Sequence, residues 1–177
     1  PIKYVGEGAN KCVFSAPLPC RTNTLKNIKG KQIDDKNIYN NEHVGLIIDR
    51  RDIAEETDIE KILNKIDKKR EYIIGFKGIC DIKESVPNTD ELKTEISKCT
   101  KPGWLRHGNI SLLDDSKKKL TQLIQSNGGE NMYDIIHNQT DPVGNHIPEL
   151  FTKFDRVFDG LTLFKNKHYI HGDIKPL

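Results

Sequence analysis

The sequence predicts an α+β fold in two parts, a small antiparallel sheet carrying one helix and then a helical region. Three observations predict it. Short apolar runs bounded by glycine and polar turn residues recur through the first 126 residues. One stretch of helical periodicity, beginning near Asp52, interrupts them. Beyond Pro148 a wide apolar stripe returns every three or four residues. Strands and helices separated along the chain give α+β rather than an alternating α/β fold.

Residues 3 to 16 read as strand, glycine turn and strand, with Tyr4-Val5 leading into Gly6-Glu7-Gly8 and Cys12-Val13-Phe14 leading out. Residues 20 to 43 are rich in Lys, Asn and Asp with little periodicity, and predict a long mobile connection. Val44-Gly45-Leu46-Ile47-Ile48 predicts a buried strand. A helix follows, capped by Asp52 with Glu55 three residues on, and Ile59, Ile62, Leu63 and Ile66 form its apolar face. Tyr72 to Phe76 predicts a strand. Residues 81 to 118 read as an irregular insertion with a short helix near 90–99. Leu120 to Gln125 predicts a strand, Ser126-Asn127-Gly128-Gly129 a turn, and Glu130 to His137 the start of a helix. Leu150, Phe151, Phe154, Val157, Phe158, Leu161 and Phe164 then mark a helix that belongs in a core.

Composition narrows the function. Lys and Arg number 28 against 26 for Asp and Glu, a net of +2, so charge gives no reason to expect a nucleic-acid or membrane-surface partner. No stretch approaches the roughly 18 apolar residues of a membrane span. The start, Pro1-Ile2-Lys3-Tyr4, has no signal-peptide pattern and no initiator Met, and reads as cut from a longer chain. Cys12, Cys20, Cys80 and Cys99 form no C-x-x-C pair and no zinc spacing, which predicts free thiols, no metal site and a cytoplasmic setting. Asn109-Ile110-Ser111 and Asn138-Gln139-Thr140 match the glycosylation pattern, but without a secretory signal they read as accidental.

Two constellations carry chemistry. Gly6-Glu7-Gly8-Ala9-Asn10-Lys11-Cys12-Val13 places glycines between two strands, where backbone N–H groups can approach phosphate oxygens closely. That context separates it from a dinucleotide loop, which runs from strand to helix. At the other end stands His171-Gly172-Asp173-Ile174-Lys175-Pro176. It resembles the protein kinase catalytic loop H-R-D-L-K-P-x-N, with Gly172 at the arginine position. The Asn that closes the motif would be residue 178, so the motif is cut short at Leu177.

With Pro17-Leu18-Pro19-Cys20 and Gly128-Gly129-Glu130, these motifs resemble the Ser/Thr protein kinase-like proteins of large DNA viruses. The resemblance implies a bilobal kinase fold, ATP with Mg2+, and phosphoryl transfer to a protein Ser or Thr. It implies an N-terminal lobe over 1–126 with insertions at 20–43 and 81–118. A hinge and an incomplete helical lobe would occupy 127–177. Asp173 becomes the base and Lys175 the cation at the transferred phosphoryl. Gly6, Glu7, Gly8, Ala9 and Val13 belong to the phosphate loop, and Gln125 and Ser126 to the strand end that receives adenine. A viral origin would place the protein in host cytoplasm or in the virion.

The resemblance also exposes a departure. The third strand should carry a lysine for the α- and β-phosphates, and that position is Leu46. Lys11 stands at the third glycine position, which resembles the with-no-lysine kinases. Helix spacing puts the carboxylate that pairs with a phosphate lysine at Glu56, with Glu60 as second choice. Two expectations stay open: an ATP-dependent Ser/Thr kinase, here as an inactive fragment, or a pseudokinase scaffold that binds nucleotide or protein.

Overall fold

The computed structural model describes residues 2–34, 38–83, 89–103, 120–129 and 147–170. The fold class is α+β. The described elements are β1 (Lys3–Glu7), β2 (Lys11–Ser15), β3 (His43–Asp49), α1 (Ile53–Ile66), β4 (Phe76–Asp81), α2 (Asp90–Ser97), β5 (Leu120–Ser126) and α3 (Ile147–Asn166). They divide into two compact units, Pro1–Glu60 with Gly75–Asn127, and Lys61–Ile74 with Gly128–Leu177.

The first unit is a five-stranded sheet in the order β1-β2-β3-β5-β4, every neighbouring pair antiparallel. Register sorts the side chains by face, because directly paired residues point the same way. Val13, Leu46, Leu123 and Ile79 pair in one row. With Val44 and Ile48 they form an apolar cluster that Ile53 of α1 joins. The next row, Cys12, Ile47, Gln122 and Cys80, faces the other way. Central β3 is covered on both faces, which is why its sequence is a continuous apolar run.

The second face is covered by the segments expected to be irregular. Leu18, Leu25 and Ile38 are buried there, as are Leu92 and Ile96 of α2. The stretch predicted to be a mobile connection is tied to the sheet at points in its described part, by buried Leu25 and Ile38 and by the bridges Lys26 to Ile79 and Cys20 to Ile82. Gln122 holds the backbone two residues before that stretch. Its Oε1 accepts the Leu18 N–H at 2.8 Å and its Nε2 donates to the Leu18 carbonyl at 2.8 Å. Gly45 lies beneath, where a Cβ would strike the Gln122 amide and sit 3.0 Å from Pro17 Cα.

The cysteines are not free thiols. Cys12 is bonded to Cys99 and Cys20 to Cys80, both on this covered face. Spacing along the chain could not reveal this, because the partners lie 87 and 60 residues apart. The pairing removes the thiol half of the argument for a cytoplasmic setting.

Asp49 caps the 3-10 turn that precedes α1, and two local expectations after it are corrected. Its carboxylate accepts the Arg51 N–H at 2.8 Å, and a single 3-10 turn, Arg50–Asp52, leads into the helix. The expected apolar face of α1 is met in part: Ile66 is buried and Leu63 half-buried, but Ile59 and Ile62 are exposed and Glu60 is buried. Ile53 sets this by packing on the β3 cluster, so steps of three and four residues bring Glu56 and Glu60 inward. The fourth strand is Phe76–Asp81 rather than Tyr72 to Phe76. The Asp67 carboxylate accepts the N–H groups of Glu71, Tyr72 and Ile73 at 3.1, 2.8 and 3.0 Å and curls that stretch into a turn.

In the second unit α3 packs Gly160 against the Tyr72 side chain, and Arg156 Nη2 donates to the Glu71 carbonyl at 2.8 Å. Phe151, Val157 and Phe158 are exposed, so the expected core helix is only partly covered by the described residues. α3 ends in a Schellman motif. His168 adopts φ 61° and donates to Lys165, and Tyr169 donates to Phe164 at 3.0 Å. Among the described residues no helix is long and apolar enough to cross a membrane. The helix expected from Glu130 to His137 lies outside the described residues.

Candidate functional site

The β1–β2 hairpin is closed by the Gly8 N–H donating to the Lys11 carbonyl at 2.9 Å. Register slips between Tyr4 and Gly6, so Gly6 sits at a bulge. A Cβ added at Gly6 or Gly8 would meet nothing within 4 Å, and neither residue has a positive φ. Neither the turn nor the protein's own packing therefore requires glycine. What glycine provides there is open backbone that an anion can approach.

Lys11 opens β2 on the same face as Val13 and projects toward the first turns of α1. Its Nζ lies 2.6 Å from Glu56 Oε1, with 36% of the lysine side chain and 17% of the glutamate side chain exposed. An ammonium carries three donors. The pair to Glu56 engages one of them on a side chain that is still open to solvent. Leu46 is paired with Val13, on the same sheet face, and is buried in the apolar cluster. The cation thus stands one strand over from the position where a strand lysine was sought. Of the two candidate carboxylates, Glu56 is the one joined to Lys11, while Glu60 is buried one turn further along α1.

Glu7 has a different role. Its Oε2 accepts the N–H groups of Thr100 at 2.6 Å and Lys101 at 2.9 Å, and its Oε1 accepts the Thr100 hydroxyl at 3.2 Å. Burial pushes its pKa up. The N–H groups of Lys101 and Thr100, the Thr100 hydroxyl and the Lys101 ammonium outweigh that and leave it below the usual carboxylate value. Ala9 is held by its carbonyl, which accepts the Gly103 N–H at 2.9 Å. Val13 is half-buried in the sheet. Sequence reasoning missed Thr100, Lys101 and Gly103 altogether. No local pattern links them to a hairpin some ninety residues earlier.

Gln125 and Ser126 lie inside β5. Gln125 pairs with Val44 on one side and Phe76 on the other, and Ser126 pairs with His43. β4 reaches only as far as Gln125, so Ser126 is paired on the β3 side alone. Asp173 and Lys175 lie outside the described residues. The donor atoms of Glu7, Cys12 and Cys99 fall within 4.8 Å of one another, but the two sulfurs are bonded together and offer no thiolate to a metal.

This arrangement combines open loop backbone with an ammonium fixed by a carboxylate, chemistry suited to an anion such as phosphate. Comparison of the chain with protein-family models, with curated proteins and with solved structures found no match.

Proposed function

We propose that this chain is the nucleotide-binding part of an ATP-dependent Ser/Thr protein kinase in which Lys11 replaces the absent strand lysine. The observation that carries the reading is the Lys11–Glu56 pair at 2.6 Å, with Leu46 buried on the same sheet face. A five-stranded antiparallel sheet with a helix between its third and fourth strands is what the resemblance implies for the N-terminal lobe. Open positions beside Gly6 and Gly8 fit a phosphate chain.

In this mechanism the hairpin backbone and Lys11 hold the phosphates, and Glu56 fixes the direction of the ammonium. Mg2+-ATP supplies the transferable phosphoryl group. Asp173 accepts the proton of the attacking protein hydroxyl, and Lys175 offsets charge on the transferred group. Positioning and electrostatics carry most of such catalysis.

The second reading is a pseudokinase, and Leu46 favours it: an apolar side chain occupies the place of a cation. One experiment separates the two. Mg2+-ATP is titrated calorimetrically into the full-length protein, and phosphotransfer to a generic Ser/Thr substrate is followed with labelled ATP. Binding with transfer, lost about 10²–10⁴-fold in Asp173→Asn, fits the kinase. Binding without transfer fits the pseudokinase. Absence of nucleotide binding removes the kinase and leaves only the protein-binding form of the pseudokinase.

A further inference from the structure

We propose that residues 99–103 are a brace on the β1–β2 hairpin, and that the Cys12–Cys99 disulfide makes the brace removable by a dithiol reductant. Within five residues the segment makes four kinds of attachment to residues 7–12. Cys99 is bonded to Cys12. The Thr100 and Lys101 N–H groups and the Thr100 hydroxyl converge on Glu7. The Gly103 N–H donates to the Ala9 carbonyl at 2.9 Å. Pro102 is buried beside them.

The far end of the brace is anchored. α2, which precedes it, packs Leu92 and Ile96 into the sheet cluster, and Glu95 accepts the Tyr4 N–H at 2.7 Å. The hairpin needs this support. Among the described strands β1 lies at one edge of the sheet and pairs with β2 alone, and a two-stranded ribbon by itself is marginal in water. Gly6 and Gly8 add backbone freedom at its tip. The brace holds the hairpin from the covered face, while Lys11 meets Glu56 on the other.

The redox step balances as thiol–disulfide exchange. A thiolate of the dithiol attacks one sulfur of the Cys12–Cys99 bond and releases the other cysteine as a thiol. The second thiol of the reagent then closes on the mixed disulfide and releases the remaining cysteine. Two electrons and two protons pass to Cys12 and Cys99, and the reagent leaves as a cyclic disulfide. Cys12 is fully buried and Cys99 nearly so, so exchange proceeds through local opening of the segment. After reduction the brace is tied to the hairpin by the hydrogen bonds to Glu7 and Ala9 and the Lys101–Glu7 ion pair, with no covalent link among them.

Hydrogen exchange read by mass spectrometry tests this on the oxidised protein, the dithiothreitol-treated protein, and Cys99→Ser and Cys20→Ser variants. Peptides covering 6–11 and 99–103 are expected to exchange about tenfold faster after reduction and in Cys99→Ser, with β3 and β5 unchanged. Cys20→Ser, which removes the other disulfide, should leave residues 6–11 as in the parent. Glu7→Gln, which weakens the brace without touching sulfur, should shift the same peptides in the same direction should Cys99→Ser fail to fold. Unchanged exchange at 6–11 in protein shown by thiol counting to be reduced overturns the proposal. So does peptide mapping that finds no 12–99 linkage, or a bond that dithiothreitol does not open in the native protein. The brace rests on geometry alone, and its effect on nucleotide rests on the function proposed above. Faster hairpin exchange with no Mg2+-ATP binding in either redox state would support the brace and remove the nucleotide reading.

Discussion

Lys11 at the start of β2 and Glu56 in the first turn of α1 form an ion pair at 2.6 Å, on the sheet face where Leu46 is buried. A half-exposed pair of this kind contributes little to stability, about 1 kcal/mol or less. Its value lies in direction: the carboxylate orients an ammonium on a side chain that keeps 36% of its surface exposed. Lys11→Ala is therefore expected to leave the urea midpoint nearly unchanged. It should weaken Mg2+-ATP about ten- to a hundredfold, since a hydrogen bond to a charged group is worth roughly 1.5–3 kcal/mol. Equal affinity in parent and variant would end the idea that this lysine serves the phosphates.

Leu46 offers the reciprocal test. It is paired with Val13 on the face from which Lys11 projects. Lys11→Gly combined with Leu46→Lys should recover much of the lost affinity, because α1 presents Glu56 to that face. Stability should fall, since a lysine would replace a buried apolar side chain. A double variant that folds but binds no better than Lys11→Gly would show that Glu56 cannot serve a cation on β3.

Glu7 predicts an acid-sensitive hairpin. Its folded pKa lies below the ordinary value because the Lys101 and Thr100 donors outweigh burial. Stabilisation from a lowered carboxylate is complete above the unfolded pKa, about 4.3. It is lost as pH falls through the lower folded value. The parent should thus be more stable than Glu7→Gln at pH 7, with the gap closing below about pH 4. A gap that widens on acidification would reverse the assignment. Paired urea melts across pH 3 to 7 measure it.

Asp67 makes the same argument for the second unit. Burial raises its pKa, and the N–H groups of Tyr72, Glu71, Ile73 and Arg70 outweigh that and lower it. Asp67→Ala leaves those donors without their acceptor and should destabilise by about 1–3 kcal/mol. Asp67→Asn should cost less, since the amide oxygen still accepts. Thermal melts of the two variants give the order, and equal melting temperatures would argue that water replaces the carboxylate.

Much of the sheet was legible because it rests on local signals. Val44 to Ile48 announces a doubly covered strand, and the glycines at 6 and 8 announce a turn between strands. The Lys11–Glu56 pair was legible because helix spacing limits which carboxylates can share a face. What failed was set by distant contacts. Asp67 reaches forward to fold Glu71 to Ile73 out of the sheet, although their apolar run reads as a strand. Ile53 turns α1 so that its isoleucines at 59 and 62 face water. Nor did any local signal show that folding brings Thr100 and Lys101 to the Glu7 carboxylate.

The glycines supply the last test, because two of them are glycine for opposite reasons. A Cβ at Gly8 meets nothing, and its φ is not positive. Gly8→Ala should then hold or raise stability, by about 0.4–1 kcal/mol through the unfolded chain, while it weakens nucleotide binding by filling the open backbone. Gly45→Ala should do the reverse damage. Its Cβ strikes the Gln122 amide, which cannot withdraw without releasing both hydrogen bonds to Leu18. The overpacking costs about 1–3 kcal/mol. Gln122→Ala alone should also destabilise, because it strands the buried Leu18 N–H and carbonyl. Combined, the two substitutions should cost clearly less than their sum, since removing the amide also removes the clash. Strict additivity would mean that Gly45 is not glycine because of Gln122. A Gly8→Ala variant that loses stability but binds Mg2+-ATP normally would mean that the hairpin glycines serve the fold and not a ligand.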